Sequence, residues 1–182
     1  DGAIQLLSTE DYITVEGNWT RGTTGTVLID GNVIFDGSGG AKVIDNRGIS
    51  FHNLTISGTS QYQLGRNTTI ENDLIIDAGA TFDVSPTNFS LTIAGNWTNN
   101  GTFYSQTGKV IFNASSGSRT IRGGASQFND IDINASGVIY TLDGDISLKR
   151  NLNIINGTLD INGNTLTLGD NTGTDNLTVS GT

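Results

Sequence analysis

Apolar and small polar residues alternate along this chain in short runs, and a glycine or an asparagine closes most of them. Asn32-Val33-Ile34-Phe35-Asp36-Gly37, Asn53-Leu54-Thr55-Ile56-Ser57-Gly58, Leu74-Ile75-Ile76-Asp77-Ala78-Gly79 and Leu91-Thr92-Ile93-Ala94-Gly95 set the pattern. Val110-Ile111-Phe112-Asn113, Ile131-Asp132-Ile133-Asn134, Leu152-Asn153-Ile154-Ile155-Asn156-Gly157 and Leu166-Thr167-Leu168-Gly169 continue it. A period of two predicts strands of about 4–6 residues, with Gly, Asn and Asp at corners that need left-handed backbone. No segment repeats apolar residues at i, i+3, i+4 and i+7, so no helical domain is expected. The runs recur about every 20 residues, which favours an all-β chain folded as a parallel β-solenoid (β-helix) of short coils. An antiparallel sandwich also suits short strands and Gly-rich turns, but it gives no reason for that beat.

A longer repeat of about 77 residues is superimposed. Gly17-Asn18-Trp19-Thr20 returns as Gly95-Asn96-Trp97-Thr98, Val33-Ile34-Phe35 as Val110-Ile111-Phe112, and Phe51 as Phe128. Tyr62 returns as Tyr140, Leu74 as Leu152 and Phe82-Asp83-Val84 as Leu159-Asp160-Ile161. The expected organisation is an N-terminal capping or strand-exchange segment (1–16), two repeats of about four coils each (17–94 and 95–169), and the start of a third repeat or a C-terminal coil (170–182). At the strand spacing of a sheet, eight or nine coils make a rod roughly 40 Å long.

Composition narrows the function. With 9 Lys and Arg against 18 Asp and Glu, the net charge of −9 speaks against nucleic acid and anionic membrane surfaces as partners. No apolar run approaches the 18 residues of a membrane-spanning helix, so no membrane insertion is expected. Zero cysteines exclude disulfides and thiol chemistry. Zero methionines, even at position 1, point to a processed product or a fragment, and export is expected.

Half of the 20 asparagines stand in Asn-X-Ser/Thr sequons: Asn18, Asn53, Asn67, Asn88, Asn96, Asn100, Asn113, Asn134, Asn156 and Asn176. In an exported protein these are candidate N-glycosylation sites, although corners and strands favour Asn and Thr in any case. The phrases Gly95-Asn96-Trp97-Thr98-Asn99-Asn100-Gly101-Thr102-Phe103, Val110-Ile111-Phe112-Asn113 and the run from Asn156 through Gly163 to Gly169 resemble the Gly/Asn/Thr-rich repeats of large prokaryotic surface proteins. Those proteins resemble the right-handed parallel β-helix class of adhesins and autotransporter passenger domains. The resemblance covers most of the chain from Gly17 on, and it implies a cell-surface, extracellular location.

Catalytic chemistry finds little support. The single histidine, His52, becomes Asn129 in the second repeat, and the acidic groups Asp143/Asp145, Asp73/Asp77, Asp130/Asp132 and Asp170/Asp175 are scattered without a basic partner cluster. No catalytic residue, cofactor site or metal site is therefore assigned, although the loops Asp36-Gly37-Ser38-Gly39-Gly40 and Asp170-Asn171-Thr172-Gly173-Thr174-Asp175 carry oxygen ligands of the kind calcium accepts. Aromatic residues recurring at the long period are expected to stack inside the rod, whereas Trp19 and Trp97 could be exposed as a recognition pair. The expected function is structural: a glycosylated subunit that forms a surface filament, sheath or stalk by head-to-tail self-association. Ile4, Leu6 and Leu7 at one end, against Leu177 and Val179 at the other, are the expected contact. The alternative is an adhesin-type module recognising glycans or a partner cell, and a polysaccharide-active enzyme ranks last.

Overall fold

The computed structural model describes residues 2–170 and 172–180. All regular structure among them is β, in strands of two to five residues apart from two long ones. The first two coils hold β1 (Ala3–Leu6), β2 (Tyr12–Val15), β3 (Trp19–Thr20), β4 (Thr26–Ile29), β5 (Asn32–Phe35) and β6 (Lys42–Asp45). The next three hold β7 (Asn53–Ile56), β8 (Gln61–Leu64), β9 (Thr68–Ile70), β10 (Leu74–Ile76), β11 (Thr81–Asp83), β12 (Leu91–Ile93), β13 (Trp97–Asn99) and β14 (Thr102–Tyr104). Then follow β15 (Lys109–Phe112), β16 (Ser118–Arg122), β17 (Gln127–Phe128), β18 (Asp130–Leu142), β19 (Ile146–Leu148), β20 (Leu152–Asp160), β21 (Leu166–Leu168) and β22 (Leu177–Val179).

Every strand pair is parallel, and the register shows the beat directly. Val33 pairs with Leu54, Leu54 with Leu74, and Leu74 with Trp97. The chain is a parallel β-solenoid with three sides. One side stacks β2, β5, β7, β10, β13, β16 and the second halves of β18 and β20, which is eight coils. The preceding side carries β9, β12, β15, the first halves of β18 and β20, and β22, with β1 paired to β4 at its start and a Phe51–Ile70 bridge between. The third side carries β3, β6, β8, β11 and β14, then β17, β19 and β21. The segment 1–16 is built into the first coil, because β1 pairs with β4 and β2 with β5. Of the proposed third repeat, Asn171, Gly181 and Thr182 lie outside the described residues, as does Asp1 at the start of the chain.

Inward positions form one continuous buried cluster running from coil to coil. Val33, Phe35, Leu54, Ile56, Leu74, Ile76, Leu91 and Ile93 are fully buried. At this spacing each inward side chain rests on its counterpart one coil away, so burial comes from stacking rather than from a second layer.

The 77-residue repeat proves to be a screw. Val33 and Phe35 lie on β5, whereas Val110 and Phe112 lie on β15, one side back around the rod. The same displacement takes Trp19 on β3 to Trp97 on β13, and Tyr62 on β8 to Tyr140 in the second half of β18. Each copy therefore spans three coils and two further sides, not four whole coils, because 77 is not a multiple of the 21-residue coil. The packing is nonetheless conserved. Trp19 meets Phe35 edge-on at 6.1 Å and 80°, and Trp97 meets Phe112 at 6.3 Å and 75°. Phe35 lies 4.9 Å from Tyr62, and Phe112 lies 5.1 Å from Tyr140. The recurring aromatics thus form two equivalent internal knots.

Each tyrosine is anchored by its hydroxyl. Gly37 donates its N–H to Tyr62 Oη at 2.9 Å, and Ala114, 77 positions later, donates to Tyr140 Oη at 3.1 Å. Tyr62 also donates to the Val15 carbonyl. A Cβ on Gly37 would run into the Glu16 carbonyl and the Tyr62 hydroxyl, which explains a glycine there. Burial pushes both phenols above their usual value of 10.0, against the opposing pull of the N–H donors. A phenol pKa raised on folding contributes stability that is complete below pH 10 and lost as pH rises through the folded value. Tyr62→Phe and Tyr140→Phe should each cost about 1–3 kcal/mol at neutral pH, since each strands a buried backbone N–H. The double variant should lose less further stability than the parent between pH 9 and 11. Urea midpoints across that range check this, and parallel curves would contradict it.

Candidate functional site

The exterior is organised by hydrogen bonds that climb from coil to coil at the corners. Asn32 donates to the carbonyls of Thr9 and Asp11, Asn53 donates to Asn32 Oδ1 at 3.0 Å, and Asn72 donates to Asn53 Oδ1 at 2.8 Å. Asp73 then accepts from the backbone and side chain of Asn96, whose Oδ1 accepts from Thr120. This ladder spans six successive coils. A second ladder runs from Asp130 through Asn151 to Asn176, one side back, as the screw requires. Such stacks satisfy corner amides that would otherwise compete for backbone groups.

The ladders divide the ten sequon asparagines. Asn53, Asn96, Asn156 and Asn176 commit their side-chain nitrogen to a neighbouring coil. Asn18, Asn67, Asn88, Asn100, Asn113 and Asn134 are exposed and donate no side-chain hydrogen bond among the described residues. Five of these six use the side-chain oxygen alone, as an acceptor for a backbone or side-chain donor of a neighbouring coil, for example Asn18 from Val43 N–H and Asn88 from Thr107 N–H. Asn18 and Asn96, which share a sequence phrase, therefore differ in surroundings because the screw sets them on different sides.

The carboxylates that drew attention in the sequence serve as local caps and do not converge. Asp73 and Asp130 belong to the ladders, Asp132 pairs with Lys109 at 2.8 Å and with Asn153, and Asp145 accepts the Thr165 N–H. Asp143 faces Arg122 at 3.3 Å. Asp170 is held below the usual carboxylate range by the hydroxyl and N–H of Thr172, a turn contact that needs no ion. Asn171, the second residue of that loop, lies outside the described residues. Among the described residues no three His, Asp or Glu side chains come together as metal ligands. His52 is half-buried at the corner before β7, where its carbonyl accepts the Asn72 N–H.

The aromatic recognition pair does not form. Trp97 is fully buried against Phe103, Phe112 and Phe128, and Trp19 is half-buried against Phe35 and Phe51. Their sequon context misled because a strand residue beside a corner Asn points inward by alternation.

What stands out instead are the two ends. Ile4 is 44% exposed, Leu177 59% and Val179 65%, although all three occupy inward positions whose mid-rod counterparts are buried. Leu6 is only 8% exposed because it packs on Ile29, while Leu7, just past β1, is 62% exposed. Of the five residues expected at the contact, Leu6 supports its own coil and the other four are open.

No family model, curated protein or solved structure matches this chain. The functional reading rests on its own geometry.

Loss of a ladder rung should register as stability. Asn53→Ala removes a donor to Asn32 and the acceptor of Asn72 and Asp73, and should cost about 1–3 kcal/mol. Asn113→Ala, at an exposed site with no ladder bond, should stay within about 0.5 kcal/mol of the parent. Chemical denaturation of the two variants checks the contrast, and equal effects would refute a structural role for the ladder.

Proposed function

We propose that this chain is a structural extracellular solenoid, a subunit that extends a surface filament, sheath or stalk by end-to-end stacking. The observation that carries this reading is the graded burial of inward side chains, from complete in the middle coils to half-open at both ends. An exposed parallel edge presents a row of unpaired backbone groups and is a template for another strand. At one end that edge is β1, β2 and β3; at the other it is β22, the second half of β20, and β21. Joining two such ends repeats the contact already made between coils, and an interface between unlike ends that does not close generates an open fibre. The interface buries Ile4 and Leu7 of one copy against Leu177 and Val179 of the next. Electron microscopy of the concentrated protein should show fibres with an axial repeat near the rod length of roughly 40 Å. Ile4→Asp with Leu7→Asp should abolish them and leave the β circular dichroism intact. Fibres that persist in the double variant, or discrete rods in the parent, argue against stacking.

Glycans on the outward corners fit the same reading, since a sugar coat keeps the sides of such a rod from pairing laterally. The six sequons whose side-chain nitrogen donates no hydrogen bond among the described residues, Asn18, Asn67, Asn88, Asn100, Asn113 and Asn134, are the proposed acceptors. Glycopeptide mass spectrometry after expression in a glycosylating host should find occupancy concentrated there and low at Asn53, Asn96, Asn156 and Asn176. Uniform occupancy across the ten sites runs counter to this assignment.

A further inference from the structure

The third side of the rod is interrupted at mid-length. One sheet ends at β14 and another begins at β17, one coil on, with no backbone hydrogen bond between them among the described residues. Phe103 N–H, which would reach a carbonyl of the next coil in an unbroken ladder, donates to Ser126 Oγ at 2.9 Å. Beneath the break, Trp97 is wedged against Phe103 at 4.8 Å and Phe128 at 5.0 Å, and these two rings stand 5.8 Å apart. The break leaves an open groove of about 290 Å³, near the lower bound of roughly 300 Å³ for small-molecule clefts.

Its lining is unlike the rest of the surface. Tyr104 is 48% exposed, Ser105 and Ser126 supply hydroxyls, Gln127 an amide, and Gln106 its amide oxygen, its nitrogen being bonded to Asp83 at 3.1 Å. Lys149 also lines it and forms no ion pair among the described residues. No carboxylate lines the groove, although the chain carries a net charge of −9. Ser105 is buried to 3% exposure and its hydroxyl has no hydrogen-bond partner. A buried hydroxyl left unpaired is costly, and one in the wall of a groove is satisfied when a polar ligand enters.

We propose that this groove binds a carboxylate-bearing saccharide. Tyr104 offers a face against which a sugar ring stacks, Ser105 and the two glutamines meet its hydroxyls, and Lys149 pairs with the carboxylate. An aliphatic ligand would leave the Ser105 hydroxyl unpaired, and a cation would meet Lys149. The site lies mid-rod and does not depend on end-to-end assembly.

The test is isothermal titration of the full chain with a trimer of glucuronic acid and with its methyl ester, which removes the charge and keeps the scaffold. The acid should bind saturably with one site, and the ester about tenfold more weakly, the loss expected for one charge-assisted hydrogen bond. Tyr104→Ala and Lys149→Gln should each weaken the acid by about tenfold. Ser105→Ala should weaken it as well while leaving the urea midpoint unchanged or higher, because it removes an unpaired buried group. Lys42→Gln, which alters another lysine without an ion pair on the same side but outside the groove, should bind like the parent. Three results overturn the proposal: no binding at millimolar acid, equal binding of acid and ester, or a loss in Lys42→Gln as large as in Lys149→Gln, which marks diffuse charge attraction.

Discussion

Each inward side chain of this rod rests on one from the coil before and one from the coil after, at the spacing that parallel backbone hydrogen bonds impose. Everything else follows from that axial stacking. No coil can bury its own Val, Ile or Phe, so the coils stand or fall together, and burial declines toward each end. Corners face the same constraint in polar form. An asparagine at a corner sits one strand spacing from the next, close enough for an amide to donate to the amide below, and the chain uses this through Asn32, Asn53 and Asn72.

Screw displacement of the long repeat has a specific physical content. Conserving the contacts of Trp19, Phe35, Phe51 and Tyr62 in Trp97, Phe112, Phe128 and Tyr140 requires only that relative positions along the chain be kept. It does not require the knot to return to the same side. The second knot is not a perfect copy, because Phe103 joins it and has no counterpart beside Trp19. That extra ring lies beneath the point where the third side breaks. An additional core ring and an interrupted surface sheet thus occupy the same coils.

Much of the architecture was legible because stacking writes itself into the sequence as a period. Strands such as β5, β7, β10 and β12 could be read from their alternation, and the internal placement of Phe35 and Phe112 from their recurrence. What could not be read was angle. A repeat length fixes distance along the chain, whereas the side reached depends on the coil length, which varies between 19 and 25 residues by register. Asn18 and Asn96 looked equivalent for this reason, as did Trp19 and Trp97. The groove left no sequence signal, since Tyr104, Ser105 and Lys149 are far apart in the chain or unremarkable in pattern and meet only because β14 and β17 fail to pair. The open ends were readable only as apolar runs at the two extremes, and Leu6 differs from Leu7 because it packs on Ile29 while Leu7 lies just past the strand.

A screw-displaced repeat also decides how a surface feature is distributed. Were the repeat a whole number of coils, equivalent outward residues would line up as a stripe along one side, and a stripe invites lateral pairing between rods. Displacing the second copy by one side breaks that stripe, so equivalent sequons and acidic corners of the two copies face different sides. Apolar side chains are exposed singly along the sides, as at Val43, Ile75 and Ile139, whereas at the ends Ile4, Leu177 and Val179 are exposed at inward positions beside unpaired strands. The same displacement that hid the geometry from the sequence therefore fits the proposed stacking along the axis, in which the open strands beside exposed Ile4, Leu177 and Val179 meet those of another copy.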